Sequence, residues 1–246
     1  MRRFFFAWAI VSTLWVANKM RTRGVAEEML RTSPAVGVRE GDSTLEFRPV
    51  RTHHSSALIF FCGAGVSAHA YAPLLRPIAE AGYPVFVIKL PYRFAPFDSH
   101  KETAIARARS VIAAHPAVGQ WVVSGHSLGG ALTARAVRSG PPAAVAAIVL
   151  VGTTHPRSDD LSALRIPVTK IYASNDGVAP VDRIQATRHL LPAHTRWVEI
   201  RGGNHSQFGH YGHQLLDGKA TITRAAQQTI TRSTILEALK AITPDN

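Results

Sequence analysis

The apolar positions of this chain fall into short strand-like runs divided by stretches of helical spacing. After Pro34 come two alternating segments, Ala35-Val36-Gly37-Val38 and Thr44 to Val50, joined by Gly41-Asp42-Ser43, which reads as a hairpin turn. Ala57 to Cys62 is a continuous apolar run, the pattern of a strand covered on both faces. Helical spacing follows over 70–81 and stops at Gly82. The alternation then repeats: strand 84–90, helix 100–114, strand 121–124, helix 128–138, strands 146–151 and 168–172, helix 181–191, strand 195–200, and a closing helix 223–242. Strands alternating with helices predict a parallel sheet with helices on both faces, here after an antiparallel start. The expected fold class is therefore α/β, in three layers. Only Gly152 to Pro167 separates two of the strands, which is too short for a multi-helix lid.

The N-terminus breaks this pattern. Met1-Arg2-Arg3 is followed by Phe4 to Ala17, which carry no charge, and then by Asn18-Lys19-Met20-Arg21. The uncharged run is short for a bilayer span and suits a signal-peptide core. A cut after Ala17 would put Trp15 at −3, so an uncleaved signal anchor is the first reading and export after cleavage the alternative. Basic residues flank both ends, so the charge rule leaves the orientation open. The expected organisation is an anchor or signal over 1–24, a linker over 25–34 and one catalytic domain over 35–246.

The formal charge of +12 invites a nucleic-acid reading. Arg2, Arg3, Lys19, Arg21 and Arg23 all lie in the first 24 residues, however, and without these five the remainder is +7 with no basic run and no nucleic-acid motif. No nucleic-acid partner is expected. Cys62 is the only cysteine, so no intrachain disulfide can form. Ending an apolar run, it reads as a packed thiol.

The chemistry begins at Gly125-His126-Ser127-Leu128-Gly129-Gly130, between an apolar β-branched run and a helix-like stretch. A serine with glycines at −2 and +2 in that setting is the sequence form of a nucleophile elbow. Such a serine needs a base, because its hydroxyl is nearly un-ionised at neutral pH, and the base needs an acid to fix its tautomer. In an open parallel sheet these groups belong at the carboxyl ends of strands. Two loops qualify: Ser174-Asn175-Asp176-Gly177, and Gly202-Gly203-Asn204-His205-Ser206. The candidate catalytic residues are Ser127, Asp176 and His205. Asp182 is a rival acid inside the next helix. His126 should pack or hydrogen-bond nearby, and His69 could line the pocket. His205, His210 and His213 stand close in sequence, but their spacing matches no standard zinc arrangement. No metal and no cofactor are expected.

With these residues in place, 122–130, 172–180 and 201–221 together resemble the α/β-hydrolase superfamily. More closely, the chain is similar to its compact bacterial branch related to dienelactone hydrolases. The similarity includes Asp217-Gly218-Lys219-Ala220-Thr221-Ile222 and the helix around Ala70 to Leu74, and it spans about Ala35 to Ile242. It implies a Ser-Asp-His hydrolase acting on carboxylic esters or related acyl compounds. Where relatives carry a Pro-Gly-Gly or His-Gly-Gly type turn, this chain has Cys62-Gly63-Ala64-Gly65-Val66. The expected oxyanion donors are the amides of Leu128 and of Ala64, with Gly65 the alternative to Ala64. A binding or scaffolding protein on the same fold, or an acyltransferase using the same three residues, are the rival readings. The expected partners are a small-molecule ester and, through the N-terminal segment, a membrane; nothing in the sequence sets an oligomeric state.

Overall fold

The structure, a computed structural model, describes residues 18–51 and 53–243. The N-terminal run 4–17 therefore lies outside the described residues. The elements in chain order are β1 (Val36–Glu40), β2 (Thr44–Pro49), β3 (Ser56–Phe61), α1 (Ala72–Glu80), β4 (Val85–Ile88), α2 (Asp98–Ala114), β5 (Gln120–His126), α3 (Leu128–Val137), β6 (Val145–Val151), β7 (Val168–Ala173), α4 (Val181–Ala186), β8 (Arg196–Ile200) and α5 (Arg224–Ile242). They build one sheet of eight strands in the order β1-β2-β4-β3-β5-β6-β7-β8. β1–β2 and β2–β4 are antiparallel, and every other pair is parallel. α1 packs against α5 and α2 against α3, which sandwiches the sheet in three layers.

The apolar runs lie where continuous apolarity demands. Every residue of β3 and β4 is buried, and Phe60, Phe61, Phe86 and Trp121 are among the largest enclosed side chains. At about 2–3 kcal/mol for each fully buried large apolar side chain, this central strip dominates the favourable side of folding. The segment expected as a linker is held against the body by buried Arg76. Its guanidinium donates to the carbonyls of Met29 (3.1 Å) and Arg31 (2.7 Å) and to Ser33 Oγ (2.8 Å).

Three boundaries differ from the spacing. The helix expected over 70–81 starts as a 3₁₀ turn, Ala68–Tyr71, capped by Ser67 Oγ, and becomes α-helical where Pro73 fits its first turn. The helix expected over 181–191 stops at Ala186, and Arg188–Leu190 is a separate 3₁₀ turn. Thr187 divides them, its hydroxyl donating to the carbonyls of Ile184 and Thr154 (both 3.2 Å) and competing with the helical ladder. β5 runs on to His126, because Phe61 pairs with Gly125 on one side and Val151 with His126 on the other.

The parallel order puts the carboxyl ends of β3 to β8 on one rim. The loops bearing Ala64, Ser127, Asp176 and His205 all leave the sheet there.

Candidate active site

Ser127 leaves β5 with φ 56° and ψ −117°, a conformation that side-chain-bearing residues rarely adopt, and α3 starts at the next residue. The turn closes because the backbones around it touch. A Cβ on Gly125 would lie 2.3 Å from the Gly129 carbonyl carbon, and one on Gly129 would lie 2.1 Å from the Phe61 carbonyl oxygen. Neither site admits a side chain without moving main chain. The glycines flanking the serine are thus a steric requirement of helix α3 sitting down on the end of β3.

At the start of α3, Leu128 N–H is bonded to no acceptor among the described residues, as a first-turn amide should be. The turn after β3 presents the amides of Ala64 and Gly65. Gly65 N–H donates to the Arg93 carbonyl at 2.7 Å, whereas Ala64 N–H has no acceptor among the described residues. Gly63 N–H donates to the Tyr71 hydroxyl (3.0 Å), which is also hydrogen-bonded to His126 Nδ1 (2.9 Å).

Asp176 and His205 meet. His205 Nδ1 donates to Asp176 Oδ2 at 2.8 Å, with both side chains enclosed. The other carboxylate oxygen accepts from the amides of Val178 (2.9 Å) and Ala179 (2.6 Å). A carboxylate so held leaves the Nδ1 proton in place, and in the neutral ring Nε2 then carries the lone pair. That Nε2 is buried and has no hydrogen-bond partner among the described residues. The imidazole packs against the ring of His126, the residue before Ser127, with centroids 4.5 Å apart and planes tilted by 44°. Burial, with His205 as the smaller cause, holds His126 well below the usual histidine pKa, so it is neutral. Asp182, the rival acid, is exposed on α4.

The loop bearing His205 is braced by residues that the sequence reading did not assign. Asp217 Oδ1 accepts from the amides of His205 (3.1 Å) and Gly177 (3.3 Å), and Oδ2 from Ser206 N–H (2.8 Å) and Oγ–H (2.7 Å). Gln227, on α5, accepts from Asn204 N–H (3.0 Å) and donates to its carbonyl (2.7 Å). Asn204 Nδ2 donates to the Gly218 carbonyl (2.8 Å), and Asn175 Nδ2 to that of Lys219 (2.9 Å). The signal for Asp217 was the 217–222 segment itself, whose function is to latch the two loops together.

The remaining histidines disperse. His69 pairs with Glu40 (2.9 Å) at the sheet edge instead of lining this site. His210 bonds the Gly24 carbonyl (3.1 Å) and His213 the Asp217 carbonyl (3.1 Å). Among the described residues, no three His, Cys, Asp or Glu groups stand where they could hold one metal ion. Burial pushes the Cys62 thiol up to about 12, which makes it inert at neutral pH.

The comparisons agree with this architecture. Solved structures of the same fold include Thermogutta terrifontis esterase 2 (16% identity, TM-score 0.58, covering 88% of this chain and 98% of that one). They also include a dienelactone hydrolase-like protein of Klebsiella pneumoniae (16%, 0.59, 83% and 98%) and Paleococcus ferrophilus monoacylglycerol lipase (13%, 0.62, 82% and 99%). No curated protein sequence matches the chain. A family model described as "Alpha/beta hydrolase family" matches residues 57–229, well over half the chain and every loop of the rim. The chain belongs to the alpha/beta hydrolase family.

Proposed function

We propose that this protein is a serine hydrolase that cleaves carboxylic esters or related acyl compounds through Ser127, His205 and Asp176. The observation that carries the reading is the buried His205 ring: one nitrogen is tied to Asp176 at 2.8 Å, and the other is left without a partner beside the Ser127 turn. His205 Nε2 takes the proton of the Ser127 hydroxyl as its oxygen attacks the acyl carbon. Asp176 holds the imidazole in the tautomer that can do this and stabilises the imidazolium that forms. The oxyanion is received by the amides of Leu128 and Ala64; the Gly65 amide is engaged with Arg93 and is the weaker candidate. The alcohol leaves with the proton from His205. Water, activated by the same nitrogen, then releases the acid.

Esters fit better than a substrate needing a deep channel, because the loop 152–167 adds no helix over the rim. Among the neighbours, Thermogutta terrifontis esterase 2 is phosphorylated by paraoxon, which suggests the probe. Parent protein incubated with paraoxon or a fluorophosphonate should gain one phosphoryl adduct on the tryptic peptide containing Ser127 and lose activity on short p-nitrophenyl esters. Ser127→Ala should neither label nor turn over. Equal labelling of the alanine variant would reject Ser127 as nucleophile.

The reading extends to the N-terminus. No described helix is long and apolar enough to cross a membrane, and residues 4–17 are not among the described residues. Their uncharged run between basic flanks supports retention of the chain at a membrane by this segment. Flotation of the full chain with vesicles, and its loss when 1–17 are removed, tests this.

A further inference from the structure

The exposed large apolar side chains are not scattered. Among the described residues they are Val50, Tyr92, Phe94, Phe97, Leu215, Leu216 and Ile230. Five of the seven stand on the carboxyl-end rim. Tyr92, Phe94 and Phe97 follow β4, and Leu215 and Leu216 follow the His205 loop, with the Leu216 carbonyl packed on Gly177 beside Asp176. Tyr92 is 78% exposed and Leu216 81%, and both adopt positive φ, so backbone strain accompanies their display to solvent. Aromatic and aliphatic side chains held out in this way mark an interaction face.

The same rim receives the chain where it emerges from the N-terminal run. Thr22 bridges Tyr211, Gly212 N–H donates to the Lys19 carbonyl (2.9 Å), Arg23 N–H donates to that of His210 (2.8 Å), and Arg93 donates to that of Met20 (3.4 Å). Met20 itself packs against the turn containing Gly65. Consecutive Cα atoms are about 3.8 Å apart. Described residues 18–23, which follow the uncharged run, therefore lie against the rim. The exposed charges there include Arg21, Arg23, Arg93, Arg157 and Lys219, none ion-paired among the described residues, whereas Glu40, in the cleft shared by Asp42, Tyr92 and Arg93, is already neutralised by Lys89 and His69. The nearby carboxylate Asp217 is turned inward to His205 and Ser206.

We infer that this rim is a docking face for a bilayer bearing anionic lipid headgroups, with Tyr92, Phe94, Phe97, Leu215 and Leu216 entering the interface and the arginines and Lys219 meeting the headgroups. The inference rests on the reading of residues 4–17 as a membrane-retained segment and is independent of catalysis. It places the mouth of the site against the lipid.

The test uses the full chain on vesicles. Cys62 is buried, so single cysteines introduced by Phe97→Cys and Leu215→Cys on the rim, and Val50→Cys and Ile230→Cys away from it, can each carry an environment-sensitive dye. With phosphatidylcholine–phosphatidylglycerol vesicles the rim dyes should shift to the blue and be quenched by spin-labelled lipid at least about twofold more than the dyes at 50 and 230. The difference should shrink in pure phosphatidylcholine, in high salt, and in Arg21→Glu/Lys219→Glu. Flotation with rim dyes as aqueous as those at 50 and 230 would overturn the docking face while leaving the anchor intact. Failure to float would overturn both, and a shift indifferent to headgroup charge would remove the anionic partner. Labelling of Ser127 by paraoxon is read separately and bears on none of these outcomes.

Discussion

Around Ser127 the molecule is held by main chain lying on main chain: Gly129 on the Phe61 carbonyl, Gly125 on Gly129, Ser127 N–H on the Val151 carbonyl (2.9 Å). Around Asp176 and His205 it is held by side chains, with Asp217, Asn204, Asn175, Ser206 and Gln227 tying the loops to each other and to α5. The two halves of one rim thus answer different requirements. A nucleophile must stand at a fixed point above a strand end, and close backbone contact fixes points. A base and its acid must keep a proton on one nitrogen while remaining responsive to charge, and hydrogen bonds specify protons. The backbone half should therefore break as a unit, and the side-chain half should loosen by degrees.

The largest effect falls on the proton itself. Asp176→Asn keeps an acceptor for the amides of Val178 and Ala179 but offers Nδ1 a donor in place of a carboxylate oxygen. The imidazole is then driven to the other tautomer, and turnover of a short p-nitrophenyl ester should drop about 10⁴-fold with the fold retained. A tenfold loss would mean that His205 is oriented chiefly by its tilted packing on His126.

The backbone half should fail next. In Gly129→Ala the new methyl meets the Phe61 carbonyl oxygen at 2.1 Å, and main chain on both sides must move. A stability loss of about 3 kcal/mol or more in urea unfolding is expected, with activity lost in parallel. If the variant unfolds like the parent, the elbow is looser than a sheet–helix contact allows.

Loosening by degrees should appear in Asp217→Ala. Three amides and one hydroxyl lose their acceptor, which costs about 2 kcal/mol where they stay buried. The His205 loop relaxes, and kcat should fall by up to about 10²-fold, the usual consequence of an ångström of misplacement. Asp217→Asn should recover part of both. Loss of stability without loss of kcat would show that the latch serves the fold and not the base.

This division also explains what could be read from the sequence. The elbow was legible because its requirement is local: glycines at fixed offsets from a serine, between two elements whose periodicities change at that point. The loops of Asp176 and His205 were legible from strand ends and chain order. The braces were not, because Gln227 meets Asn204, and Asp217 meets Gly177, only after the sheet has formed. The engagement of the Gly65 amide, which sets it apart from that of Ala64, comes from the Arg93 carbonyl, which reaches Gly65 through a left-handed loop that no spacing encodes. The breaks inside helices 70–81 and 181–191 came from proline placement and a threonine hydroxyl overriding apolar periodicity.

One polar link lies inside the backbone half, between the turn after β3 and the residue before Ser127, and it should give the smallest effects. The Tyr71 hydroxyl accepts from Gly63 N–H and is bonded to His126 Nδ1, so Tyr71→Phe strands a buried amide and a buried ring nitrogen and should cost about 1–2 kcal/mol. His126, at the end of that link, sets a pH dependence. Folded His126 stays neutral well below its usual pKa of 6.5, mainly through burial, whereas the unfolded chain takes up that proton near 6.5. The unfolded state then binds more protons, so stability is whole above 6.5 and falls as the pH drops below it, by up to about 1.4 kcal/mol per unit. His155, pushed down to about 4 mainly by burial, acts with the same sign between 6.5 and 4. Urea midpoints taken from neutral to mildly acid pH should therefore fall in the parent and fall less in His126→Gln. Tyr71→Phe should start lower yet keep the parent's slope, because burial, with His205 the smaller cause, holds the His126 pKa down. A flattened slope in Tyr71→Phe would assign the neutral His126 to its hydrogen bond with the phenol and not to its packing.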